Sequence, residues 1–318
     1  MRVTVLGAGV VGLTTAVRLL EAGCEVRVVT AAPVEATTSW VAAAVWFPTH
    51  VGPPDRVASW GRRTLEVLAG QARDAVPGVL MRESLALYWQ PPGRPDWTAP
   101  VGQVRAATET ELPAGYPYGL RFAVPLVEMP VYLPWLTDQV RERGGDISLR
   151  RVSSLAELAD GWPDAVVNCP GLGARELVGD LSVYPVRGQI VRVSNPGLTM
   201  SVRDEYHPAG RAYVHPRTSD CILGGTLQEH DWNTEVDPAT AEAIIARCTE
   251  IVPGLAAAEV LEHIVGLRPG RPEVRLEESP ADQAGVRVVH NYGHGGAGVT
   301  LAWGCAEHVT RILMPAAA

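Results

Sequence analysis

Four glycines fall within six residues at Gly293-His294-Gly295-Gly296-Ala297-Gly298, behind a β-branched run (Val288, Val289) and ahead of a helix-compatible stretch from Leu301 to Ala306. Glycine has no Cβ, so such a turn lets backbone pass close to a ligand and aims amide N–H groups at it. The other end of the chain carries a second turn of this kind, Gly7-Ala8-Gly9-Val10-Val11-Gly12. Two ligand-hugging turns at opposite termini point to one long cofactor gripped at more than one place. The chain has no lysine, which removes pyridoxal Schiff-base chemistry and a phosphate-binding P-loop together, since both need a lysine amine. Cys24, Cys169, Cys221, Cys248 and Cys305 are scattered without a C-x-x-C pair, so they read as small buried apolar residues and no metal site is expected.

The first turn has the surroundings a dinucleotide fingerprint requires. Arg2 to Leu6 reads as a buried strand, Val10 to Ala22 as a helix with Leu13, Ala16, Val17 and Leu20 on one face, and Glu25 to Val29 as a second strand. In this βαβ unit Gly7 permits the turn, Gly9 close approach to a pyrophosphate and Gly12 tight helix–strand packing. An acidic residue commonly closes the second strand to hold a ribose. Here that place reads Thr30-Ala31-Ala32, and the hydroxyls of Thr37, Thr38 and Ser39 are the nearby candidates for phosphate or ribose contacts.

Beyond Pro48 the rhythm mixes helices (Arg56 to Ala69, Val131 to Arg143, Pro238 to Ile251) with β segments. Leu85 to Gln90 and Leu120 to Pro125 have β character, and Asp146 to Arg151 and Ala165 to Asn168 read as short strands feeding the first sheet. Gly188 to Ser194, Arg211 to His215 and Cys221 to Gly225 alternate like antiparallel strands, and Val286 to His290 should return to the first sheet. The chain thus leaves a nucleotide-binding unit and comes back. At 318 residues it is long enough for one large or two modest domains. A net charge of -8 and the lack of a basic stripe argue against a nucleic-acid binder. No apolar run approaches a membrane span, and neither terminus carries a targeting pattern, so a cytoplasmic protein is expected.

Taken together, several segments resemble the D-amino-acid oxidase family. His290 to Gly298, with Gly304 and Ala306 at the right distance, is similar to that family's C-terminal signature. Ala42 to Trp46, Asn168 to Gly171, Arg187-Gly188-Gln189 and Gly266 to Pro272 extend the likeness over nearly the whole chain. The resemblance implies an α/β fold in which a Rossmann-like FAD-binding domain (1–50, 126–182, 264–318) is interleaved with an α+β substrate-binding domain (51–125, 183–263). The latter should contain a mainly antiparallel sheet. It implies FAD rather than NAD, with the pyrophosphate at Gly7 to Gly12, Ala43, Ala44 and Val45 near the isoalloxazine, and a backbone group of Val152 at the adenine. Gly295, Gly296, Gly298, Val299 and Thr300 should meet the pyrimidine edge, where amide dipoles stabilise the charge of the reduced flavin.

For the substrate, the resemblance makes Arg268 a carboxylate clamp, Tyr213 its assistant and the Gly296 carbonyl the acceptor for the amine, with Tyr206 as a second tyrosine on the lid side. His290 and His294 would be structural. The implied reaction is hydride transfer from Cα of a D-amino acid, mainly a neutral one, to flavin N5, with molecular oxygen as the final acceptor. The products are a 2-oxo acid, ammonia and hydrogen peroxide. A D-aspartate oxidase is the alternative; it would need a further cation, for which Arg211, His207 and His215 lie in the relevant segment. A nicotinamide-dependent dehydrogenase and a non-catalytic nucleotide-binding regulator fit less of the pattern. Family members often pair, so a homodimer is the assembly it allows.

Overall fold

Valine-rich strands, joined through helices and longer crossovers, build the first sheet. In the computed structural model, which describes residues 1–48, 51–279 and 286–315, β1 (Arg2–Leu6), α1 (Val10–Glu21) and β2 (Glu25–Thr30) form the expected βαβ unit. The chain continues through α2 (Pro54–Arg73), β3 (Val79–Tyr88), a two-residue β4 (Arg105–Ala106) and β5 (Tyr118–Val127). It then runs through α3 (Met129–Glu142), β6 (Asp146–Leu149), β7 (Ala165–Asn168) and a single turn, α4 (Ala174–Leu177). Next come β8 (Tyr184–Ser194), β9 (Ser201–Asp204), β10 (Ala212–Pro216), β11 (Asp220–Gly224) and β12 (Gln228–Glu229). The remaining elements are α5 (Pro238–Ile251), β13 (Val260–Gly270), β14 (Arg275–Ser279), β15 (Arg287–Tyr292) and α6 (Gly298–Leu313).

The first sheet has the order β14-β15-β7-β1-β2-β6, parallel except for β14 at the edge. β1 has β2 on one side and β7 on the other, so the strand order reverses there. The crevice beyond the carboxyl ends of strands at such a reversal is where open α/β sheets bind ligands. The second sheet runs β12-β8-β11-β10-β9-β3-β5-β4, with β13 also beside β8. Its pairs are antiparallel except for β3 with β9. The alternating segments read from the sequence are β8, β10 and β11. β13 and β14 carried no expectation. β13 contains Gly266, Pro269 and Gly270, residues uncommon inside strands, but among the described residues it pairs only with β8, an edge position where proline costs no ladder bond.

One face of the first sheet is covered by α1 and α6, with Leu13, Val17, Leu301 and Trp303 in a shared core. α2, which the sequence reading grouped with the substrate-binding segments, places Val57, Trp60 and Leu68 in that same core. The contact of α6 with α2 depends on Gly304. A Cβ there would lie 2.2 Å from the Trp60 carbonyl oxygen, a backbone atom that cannot swing aside. We expect Gly304→Ala to destabilise the protein by about 1–3 kcal/mol or more, the cost of overpacking. Thermal unfolding checks this, and an unchanged Tm would show that the helices can part freely.

Candidate active site

Gly7 takes the chain out of β1 with φ of 106°, a conformation that a side chain would strain. A Cβ on Gly12 would sit 1.9 Å from the Gly7 carbonyl oxygen, so α1 can start over the turn only with hydrogen at that position. The Val10 amide donates to Ser39 Oγ at 3.0 Å, while the next first-turn amides have no acceptor within the helix. The start of α6 lies alongside: a Cβ on Gly298 would be 3.9 Å from Val10 Cγ1. Two helix N-termini, each a site of partial positive charge, therefore face one space.

That space is a cavity of about 760 Å³ reaching from the ends of β2 and β6, past both glycine turns, to the second sheet. The residues expected at a cofactor line it: Gly7 to Gly12, Thr37 to Ser39, Ala43 to Val45, Val152, Gly295, Gly296 and Gly298 to Thr300. So do Tyr213 and Arg268. Tyr206 does not. Its amide donates to Asp204 Oδ1 at 2.7 Å and the residue is 73 % exposed. The hydroxyls are also sorted. Thr37 donates to Val34 O and Thr38 to Leu267 O, whereas Ser39 accepts from Val10 and keeps its own proton for an anionic ligand. Thr300 Oγ1 accepts from the Phe47 amide at 3.2 Å, tying the loop of Ala43 to Val45 to the C-terminal turn.

At the far end Arg268 projects from β13 onto β8. Its guanidinium occupies the place where a side chain on Gly188 would be: a Cβ there would lie 2.2 Å from Nη2. Nη1 donates to Thr226 O at 3.1 Å. Burial lowers the Arg268 pKa, with nearby Tyr213 opposing, and a guanidinium remains charged under such conditions. Tyr213 lies over Gly224, where a Cβ would come within 2.0 Å of Cζ. Burial pushes its phenol up, so the hydroxyl is a neutral donor. Its ring stacks on His215 at 4.8 Å.

Of the cations considered for a side-chain carboxylate, Arg211 pairs with Glu205 at 2.9 Å. His207 lies outside the cavity lining, with Nε2 3.4 Å from Glu250. His215 lines the cavity, but burial and then Arg203 hold it well below the usual imidazole range. Arg203 was not foreseen. It is buried at the cavity with its guanidinium 3.8 Å over the Phe47 ring and Nη2 without a hydrogen-bond partner among the described residues. A charged residue inside the strand Ser201-Val202-Arg203-Asp204 was the available signal.

A family model described as FAD dependent oxidoreductase matches residues 2–312. A D-amino-acid oxidase from Rubrobacter xylanophilus is 54 % identical over 314 residues, covering 98 % of this chain and 95 % of that protein. The chain belongs to the D-amino-acid oxidase family of FAD dependent oxidoreductases. A D-amino-acid oxidase from Streptomyces coelicolor is 45 % identical, covering 98 % of this chain and 96 % of its own, and the human D-aspartate oxidase is 38 % identical, covering 98 % and 94 %. The solved glycine oxidase from Geobacillus kaustophilus superposes with a TM-score of 0.81 at 20 % identity, covering 98 % of this chain and 94 % of that one, which shows the shared fold.

FAD is the cofactor of this family, and the cavity suits it. Adjacent helix starts offer amide donors to a pyrophosphate and to an electronegative ring edge, and the wall between them is made of small residues, Ala43 and Ala44 among them. The two histidines of the family signature are neutral near pH 7. Burial lowers both His290 and His294 to about 4, and His290 Nδ1 shares a 3.1 Å hydrogen bond with Asn168 Nδ2. Each titrates near 6.5 once unfolded. Between pH 6.5 and 4 the unfolded chain therefore binds more protons than the folded one, so stability falls as pH drops through this window. The measurement is Tm against pH for the parent and for His290→Asn. The parent curve should decline from pH 6.5 to 4 and the variant more gently; parallel curves would mean that His290 is not held neutral.

Proposed function

We propose that this chain oxidises D-amino acids, mainly neutral ones, to 2-oxo acids, ammonia and hydrogen peroxide, using FAD and molecular oxygen. The observation that carries the reading is the closeness of two substrate anchors of opposite character. A Cβ on Gly296 would lie 3.5 Å from Arg268 Cδ, so a carboxylate clamp and a backbone carbonyl stand side by side, as an α-amino acid needs. Arg268 gives one N–H to Thr226 O and offers its remaining donors to the carboxylate in a paired, charge-assisted geometry. The Tyr213 hydroxyl donates to the same carboxylate, and the Gly296 carbonyl accepts from the amine. When bound, FAD supplies the acceptor for the electron pair leaving Cα and hands it on to oxygen. With carboxylate and amine both held, a single enantiomer directs its Cα–H at the cofactor. The division into FAD-binding and substrate-binding segments, a homodimer and a cytoplasmic setting belong to the same proposal.

The pairing of Arg211 with Glu205 leaves that end of the cavity suited to an uncharged side chain. Arg203 favours a second reading, oxidation of acidic D-amino acids, because its Nη2 has no hydrogen-bond partner among the described residues. Anaerobic mixing with D-alanine, L-alanine and D-aspartate, followed at the flavin band, separates these. Bleaching by D-alanine and not by L-alanine is expected; bleaching by D-aspartate alone would overturn the neutral preference. Arg268→Ala should raise KM by about 100-fold, the loss of a doubly hydrogen-bonded ion pair, and retain FAD. Gly188→Ala should raise it too, by displacing the guanidinium without removing its charge. Unchanged kinetics in Arg268→Ala would remove that residue from the site.

A further inference from the structure

We propose that Glu176 holds the adenosine ribose of FAD, from the side of the cavity opposite the place where an acidic residue closes the second strand of other dinucleotide-binding units. The inference rests on the FAD site described above. A ribose diol presents two O–H donors, and a carboxylate is the acceptor that takes both. β2 provides none. It ends at Thr30, whose hydroxyl is spent on Ala32 O at 2.8 Å, and Ala31 and Ala32 line the cavity with methyl groups.

Three carboxylates line the cavity among the described residues: Glu176, Glu205 and Glu229. Glu205 pairs with Arg211 at the substrate end, and Glu229 lies on β12, beside Val186 of β8. Glu176 alone stands at the nucleotide end. It sits on α4, which follows β7, while β2 lies on the other side of β1. Strand ends two places apart are separated by about 10 Å, a gap that a sugar fills and an alanine cannot. The neighbouring Leu177 and Val152 both pack against one apolar cluster that includes Val29 of β2, which places α4 near the end of β2. Arg175 fixes the turn by donating to Leu181 O and Val183 O, each at 2.8 Å.

Two further features leave room for a ligand. Gly171, just before α4, has φ of 58° and lines the cavity with nothing within 4 Å of a Cβ position, so the wall is low where a nucleoside would enter. Arg150 and Arg151 line the cavity beyond β6, yet Glu176 forms no ion pair or hydrogen bond with them among the described residues. Arg150 gives its Nη2 to Glu157 O at 2.7 Å instead.

The test uses apoprotein of the full chain, with FAD binding read from flavin fluorescence quenching and ADP binding from its competition with FAD. Glu176→Ala should weaken FAD by about 10- to 100-fold, the loss of two hydrogen bonds to a charged acceptor. ADP should weaken by the same factor, with the apoprotein Tm unchanged. Adding Ala31→Asp to that variant should restore both affinities, because it returns a carboxylate to the end of β2. Parent-like FAD affinity in Glu176→Ala overturns the proposal, as does weakened FAD with unaltered ADP or a fall in Tm that accounts for the loss. Failure of the parent apoprotein to bind FAD would strike the cofactor site itself, an outcome distinct from any of these.

Discussion

The site depends on two helix starts being packed side by side. α1 and α6 share one apolar core beneath the cavity, and Thr14 Oγ1 bonds to Ala302 O at 3.4 Å between them. Their N-termini meet at Val10 and Gly298, which sets two partial positive charges next to each other. By itself that arrangement is unfavourable. Burial of Leu13, Val17, Leu301 and Trp303 holds it together, and an electron-rich ligand relieves it. FAD binding is thereby coupled to the packing of the first sheet: a ligand that favours the folded chain stabilises it by mass action. Glycines make the approach feasible where they meet backbone, at Gly12 against Gly7 and Gly304 against Trp60.

The second sheet solves a different problem with the same device. Arg268 and Tyr213 are long side chains that must stand still to orient a small substrate. Each rests on a glycine of the neighbouring strand, Arg268 on Gly188 and Tyr213 on Gly224, so the sheet itself forms a slot for it. Thr226 O and the His215 ring hold them from other directions. Positioning by slots is costly to alter, because a methyl group on either glycine displaces the working residue. It also gives the glycine of Arg187-Gly188-Gln189 a part in seating Arg268, although it offers no chemistry of its own.

What the sequence disclosed follows the range of the forces involved. The βαβ unit and the parallel core were legible because burial on both faces writes itself as local valine runs, as in Val3 to Leu6 and Val26 to Val29. Both glycine turns were legible because the constraint acts on backbone within a few residues. Arg268 and Tyr213 were singled out through family resemblance, since nothing local marks an arginine on an edge strand as a candidate clamp. β13 was hidden by its own glycines and proline. Arg203 and Glu176 were hidden because their placement is decided by which strands become neighbours. Tyr206, expected on the lid side, is exposed and lies outside the lining of the cavity.

The charges along the cavity have a common property. Every negative group that an FAD and an amino acid would bring meets a donor that does not titrate near neutral pH. On the proposed reading the pyrophosphate and the pyrimidine edge would meet amides of α1 and α6, and the substrate carboxylate would meet the guanidinium of Arg268. Tyr213 is pushed up by burial, and His215, His290 and His294 are pushed down. None of these groups changes charge between pH 6.5 and 9. If they are the groups that face the reacting atoms, the group left to titrate there is the amine of the substrate. Its deprotonation is what frees the electron pair that drives the reaction. On the proposed reading, acid–base control lies in the molecule bound rather than in the protein, and the two buried histidines that line the cavity, His215 and His294, would not be needed as a base.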